Sequence, residues 1–169
     1  MNKLITGVAA GIVVFIWGML SWMVLPWHQQ SFSEFRGGKV AAQSVLLTTP
    51  ESGMYAYPTW NTPPDEAIKQ PKLLAVVSRD KKNMLFCMAK GLLIQIFAGL
   101  IITCIVATVK LQSVKDKMIL IFKIALFASV TGVLPNWLWW SFTPHYTLLA
   151  VADILVGWML AGLIIAKRV

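Results

Sequence analysis

Charge is scarce in this chain. Of its 169 residues 13% are Asp, Glu, Lys or Arg, 57% are hydrophobic, and mean hydropathy is +0.69. A soluble domain carries charge on roughly a quarter of its residues, so that class is excluded. Cysteine is nearly lacking: Cys87 and Cys104 fall within one apolar run, where thiols behave as small apolar groups. Their number and placement argue against a disulfide framework, a zinc site or a CxxC redox pair. Catalytic signatures are missing too, with no Gly-rich phosphate loop, HExxH, GxSxG or acid pair at glycosidase spacing. Accordingly no catalytic residue and no metal ligand is assigned, and the cofactor is left open. Neither broken spans nor paired repeat halves point to a secondary transporter.

What the chain has instead is four long apolar runs, 4–26, 84–109, 118–140 and 147–166, each near the roughly 20 residues that cross a bilayer. They predict an all-α membrane protein, a four-transmembrane-helix bundle forming one integral membrane domain over 1–169, with an extracytoplasmic cap from the external segment 27–83. The formal net charge of +8 is no nucleic-acid footprint, because the cations gather at span ends. Lys3, Lys110, Lys115, Lys117, Lys167 and Arg168 flank the runs on one side in very short segments, which the positive-inside rule makes cytoplasmic. Both termini are then inside. Arg79, Lys81 and Lys82 fall on the other side, but a long loop translocates largely regardless of its charge. The first run is too long for a signal peptide, and Leu25-Pro26-Trp27-His28 after it offers no small-residue cleavage site, so it is expected to remain as a helix.

Helices in lipid gain no hydrophobic attraction for one another and rely on small residues and shared polar groups for close contact. Gly7, Gly11 and Gly18 on the first run, Gly91, Gln95, Gly99, Thr103 and Ala107 on the second, Ala125, Ser129, Gly132 and Asn136 on the third, and Ala150, Asp153, Gly157 and Ala161 on the fourth recur at helical spacing. The plain reading of these stripes is packing. Trp22, Trp27, Trp137, Trp139, Trp140, Phe142 and Tyr146 form an aromatic belt at the outer headgroup level, whereas Trp17 and Trp158 lie deeper and need partners for their indole N–H groups. Between spans one and two, Lys39 to Leu47 reads as a short surface helix and Pro50 to Asp65 as turn-rich chain.

Polar residues inside the runs are the candidate site, because lipid makes them costly. Asp153 lies about two turns inside its span. Lys90 lies about 10 Å deep and Asp153 about 12 Å at 1.5 Å per residue, so the two can meet as a pair. Alternatively Lys90 snorkels outward and Asp153 bonds Asn136 or Ser129. His28 and His145 follow prolines at outer span ends, where two imidazoles can ligate a haem iron or pass protons to a quinone, although such histidines are more often solvated or capping. With Trp27, Trp139 and Trp140 as walls, the candidate ligand-binding residues are His28, Lys90, Asn136, His145 and Asp153.

Three stretches carry a resemblance: Trp22-Met23-Val24-Leu25-Pro26-Trp27-His28; Ser52-Gly53-Met54-Tyr55-Ala56-Tyr57-Pro58; and Pro135-Asn136-Trp137-Leu138-Trp139-Trp140-Ser141-Phe142, followed by Tyr146-Thr147, Asp153 and Gly157-Trp158-Met159-Leu160-Ala161-Gly162. Over most of its length the chain resembles a group of uncharacterised bacterial four-span inner-membrane proteins. The resemblance implies a bacterial inner-membrane location and no activity. The expected function is a non-enzymatic scaffold or accessory subunit that binds a partner protein, itself in a homo-oligomer, or membrane lipid. The alternative is a site for quinone, lipid or haem in the outer half of the bundle.

Overall fold

The computed structural model describes residues 2–80 and 83–169. Four helices are long and apolar enough to cross a membrane: Lys3–Val24, Met84–Val109, Val114–Trp140 and Pro144–Arg168. Each starts at a side-chain cap of the expected chemistry. Asn2, Asn83, Ser113 and Thr143 accept from the backbone N–H of Leu4, Phe86, Lys115 and Tyr146, satisfying donors that a first turn leaves free.

In chain order, α1 spans Lys3–Met19, α2 Lys39–Thr48, β1 Gly53–Tyr57, α3 Pro64–Ala67, β2 Leu73–Val77, α4 Met84–Val109, α5 Val114–Gly132, α6 Leu134–Trp140 and α7 Pro144–Arg168. The fold is therefore mostly helical rather than all-α. β1 and β2 pair antiparallel with Gly53 opposite Val77 and Tyr57 opposite Leu73. Leu73-Leu74-Ala75-Val76-Val77, flanked by Pro71 and Ser78, is a short apolar β-branched run of the kind that forms strands. The third long helix is also broken, against the expectation of uninterrupted spans. Pro135 at the second position of α6 lacks an N–H and disfavours helical backbone just before it, and α5 ends at Gly132 with Val133 between the two pieces.

The chain divides into two compact units, Met1–Phe32 with Asn83–Val169, and Ser33–Lys82. In the first, α1 packs along α4 on one side and α7 on the other, and α5 packs on the far side of α7. α4 and α5, the two flanks, meet only slightly. The four helices thus pack in the order α4–α1–α7–α5, closed only loosely between α4 and α5. Glycine sets the tightest joint. A Cβ on Gly11 would lie 2.5 Å from the Gln95 carbonyl oxygen, and one on Gly99 would lie 2.7 Å from the Gly11 nitrogen, so only hydrogen at these positions permits this backbone approach. Gly157 takes the Trp17 ring and Gly91 faces the Phe15 ring, while Ala161 and Ser129 are buried between helices. Gly18 and Gly132 face open space and are not packing residues. The apolar core, Ala10, Val14, Ile102, Val106, Ile121, Ala125, Trp158, Ala161 and Ile165, is shared by all four long helices.

In the second unit α2 ends against Arg79. Its Nε donates to Thr49 O at 3.0 Å and its Nη2 to Thr49 O at 2.6 Å and to Leu46 O. The guanidinium thus caps the free carbonyls of a helix C-terminus. This occupies one of the three cations that opposed the charge rule for topology; Lys81 and Lys82 lie outside the described residues.

Candidate functional site

The site grows from the way α1 ends. Its last turn widens over Leu20–Val24, where Leu25 N donates to Leu20 O at 3.0 Å across five residues instead of four. Pro26 then blocks continuation, and a single tight turn over Gln29–Ser31 folds the chain back. Residues 27–32 consequently belong to the unit of the long helices, and the second unit begins at Ser33. Trp27 returns over the helix end and its Nε1 donates to Ser21 O at 3.0 Å and to Ser21 Oγ at 3.1 Å.

His28 follows it inward. Its side chain is 2% exposed, and its Nε2 lies 3.0 Å from Ser21 Oγ and 2.9 Å from Asp153 Oδ2. Ser21 Oγ donates to the other carboxylate oxygen, Asp153 Oδ1, at 2.6 Å. The Trp22 ring stacks on the imidazole, 3.9 Å between centroids and 9° between planes, and meets Tyr146 edge-on. Asp153 comes from α7, so this node fastens α1 and its returning turn to the neighbouring helix. Both carboxylate oxygens are engaged by named donors, which is how a half-buried acid becomes tolerable.

The residue types Ser, His and Asp invite a nucleophile reading, and the geometry opposes it. In a triad the base presents one ring nitrogen to serine and the other to the carboxylate. Here Nε2 faces both partners, while Nδ1 is buried with no hydrogen-bond partner among the described residues. A carboxylate only accepts, so Nε2 carries the hydrogen that runs to Oδ2, and the Ser21 hydroxyl proton goes to Oδ1. No nitrogen is left to take a proton from Ser21. The serine is also fully buried.

The other expected residues go elsewhere. Lys90 does not pair with Asp153: its Nζ lies 4.3 Å from the centre of the Phe86 ring, a cation–π contact on its own helix, and His28–Asp153 is the sole acid–base contact of salt-bridge length among the described residues. The two depths agreed, but helix azimuth and the return of His28 decided the partner. Asn136 does not bond Asp153 either; its Nδ2 donates to Gly132 O on its own turn, and Ser129 Oγ donates to Ala125 O. His145 Nδ1 pairs with Ser31 Oγ at 2.9 Å. The two histidines thus have separate partners. No group of three His, Cys, Asp or Glu side chains suited to a metal occurs among the described residues. Trp139 and Trp140 are exposed, Trp27 is consumed by Ser21, and the Trp17 indole N–H is buried without a partner among the described residues.

Ser21 is the residue that sequence reasoning missed. It is a polar residue one helical turn before Pro26, and Trp27 and His28 can find it only if the chain folds back. A concavity of about 310 Å³ lies beside the node between α1 and α4, lined by Met19, Trp22, Met23, Met88, Gly91 and Gln95. No family model, curated protein or solved structure matches this chain.

Proposed function

We propose that this protein is a multi-pass subunit of the bacterial inner membrane, with both termini cytoplasmic and residues 33–82 outside, and that it serves as a non-enzymatic accessory subunit docking a partner protein. The node supports a structural role for the polar residues, since Ser21, His28 Nε2 and both Asp153 oxygens are spent on one another. The observation that carries the docking reading is the apolar surface of the second unit. Val40, Leu47, Met54, Trp60, Ile68 and Val76 are exposed, Trp60 at 99%, while Val77 is the single buried hydrophobic side chain among the unit's described residues. A two-stranded sheet is marginal without a covering surface, and Met54 and Val76, opposite one another on the two strands, both expose apolar side chains on one face of it.

A photoreactive residue placed at Trp60, Ile68 or Val76 in cells tests this. One and the same foreign polypeptide should be captured from all three positions, and Trp60→Ser should weaken capture from the other two. Capture of a second copy alone would replace the partner with a homo-oligomer, and capture of lipid alone would overturn the reading. A second reading, a small apolar ligand such as a quinone, is favoured by the concavity beside Trp22, where Gln95 supplies a polar group among methionine and aromatic walls.

A further inference from the structure

We infer that the opposite, cationic end of the α1–α4 joint is a binding site for one anionic phospholipid. α1 and α4 run antiparallel, so the start of α1 meets the end of α4. There they leave a cavity of about 440 Å³ lined by Lys3, Lys110, Leu4, Leu100, Thr103 and Cys104. No acidic residue lines it.

Three independent features of this cavity suit one occupant. The first is charge: Lys3 and Lys110, from different helices, line a single concavity with no acidic residue, while the opposed ends of antiparallel α1 and α4 leave little net helix dipole there. The second is polarity. Thr103 is 1% exposed, and its hydroxyl has no hydrogen-bond partner among the described residues although it lines the cavity. A buried hydroxyl left unpaired is costly and calls for a partner. The third is the apolar part of the lining, Leu4 and Leu100, side chains that suit an acyl chain. A free phosphate would satisfy the first two features and leave the apolar lining unused. A zwitterionic lipid would bring a cation to the two lysines. A phosphodiester with no compensating cation, as in phosphatidylglycerol, matches all three.

The site is separate from the docking face proposed for residues 33–82, and it rests on the reading that the four long helices cross a membrane. The full-length protein is reconstituted into vesicles of phosphatidylcholine alone and of phosphatidylcholine with phosphatidylglycerol. It is then extracted in mild detergent and analysed by native mass spectrometry. The wild type should retain one phosphatidylglycerol and prefer it over phosphatidylcholine. At the surface-electrostatic strength of a lysine near a membrane, Lys3→Gln and Lys110→Gln should each weaken retention about fivefold, and together about 25-fold. Thr103→Val should weaken it while leaving the melting temperature unchanged or higher. Lys115→Gln with Lys117→Gln, cations of the same end that do not line the cavity, should leave retention unchanged. Equal loss from the Lys115 and Lys117 variants would make the effect a general surface charge and overturn the site. Displacement of the lipid by millimolar inorganic phosphate would overturn it in favour of a soluble anion. Equal retention of both lipids would overturn the site alone, and failure to incorporate into either vesicle would overturn the membrane reading with it.

Discussion

Replacing Asp153 by leucine removes the acceptor of two buried donors at once. Ser21 Oγ loses a 2.6 Å bond and His28 Nε2 a 2.9 Å bond, and both side chains are buried. Stranding a buried neutral donor costs about 1–3 kcal/mol, and breaking a buried charged pair about 3–5 kcal/mol. Average hydrogen bonds between membrane helices contribute only about 0.6 kcal/mol, because the separated helices find other partners. Asp153 holds two donors in a node already closed by Trp22 and Trp27, so we expect a loss of about 3 kcal/mol. For a chain of this size that lowers the melting temperature by roughly 6–12 °C. The assay is thermal unfolding of the detergent-purified protein in a double-mutant cycle with His28→Phe, which keeps a ring against Trp22 and deletes the imidazole nitrogens. The double variant should recover at least about 1.5 kcal/mol relative to the sum of the singles. Additivity within about 0.5 kcal/mol, or a single-variant loss near the 0.6 kcal/mol of an ordinary bond, would refute the node. As internal controls, Lys90→Met should show no coupling to Asp153→Leu, and Asn136→Ala and His145→Ala should change stability little, their bonds being exposed.

Glycine positions should separate sharply. Gly11→Ala and Gly99→Ala drive a methyl into the facing backbone and should destabilise by about 1–3 kcal/mol, whereas Gly18→Ala and Gly132→Ala, with open space around them, should be neutral or gain up to about 1 kcal/mol in melting experiments. Topology is checked in a variant with Cys87 and Cys104 replaced by alanine, carrying single new cysteines between 40 and 65. A membrane-impermeant maleimide should label them in intact spheroplasts, and labelling that requires permeabilisation would invert the orientation.

Composition and run length were enough to read four membrane-length helices, because crossing apolar solvent demands a long unbroken apolar stretch whatever the neighbours do. Most of the small-residue contacts, Gly99 against Gly7 and Gly11 above all, are periodic features of the same kind. Asp153 stood out for an equally simple reason: an acid inside an apolar run must find a partner. Which partner it finds is a matter of tertiary structure. Depth along a helix follows from counting, but azimuth does not, and Lys90 at the right depth turns to Phe86. The widened turn at Leu20–Val24 and the break at Pro26 bring Trp27 and His28 back onto Ser21, contacts that no periodicity encodes because they depend on a chain reversal. The order α4–α1–α7–α5 was equally hidden. Each apolar helix can pack on several faces, and the choice falls to backbone approach at Gly11 and Gly99 and to one carboxylate shared between α1 and α7.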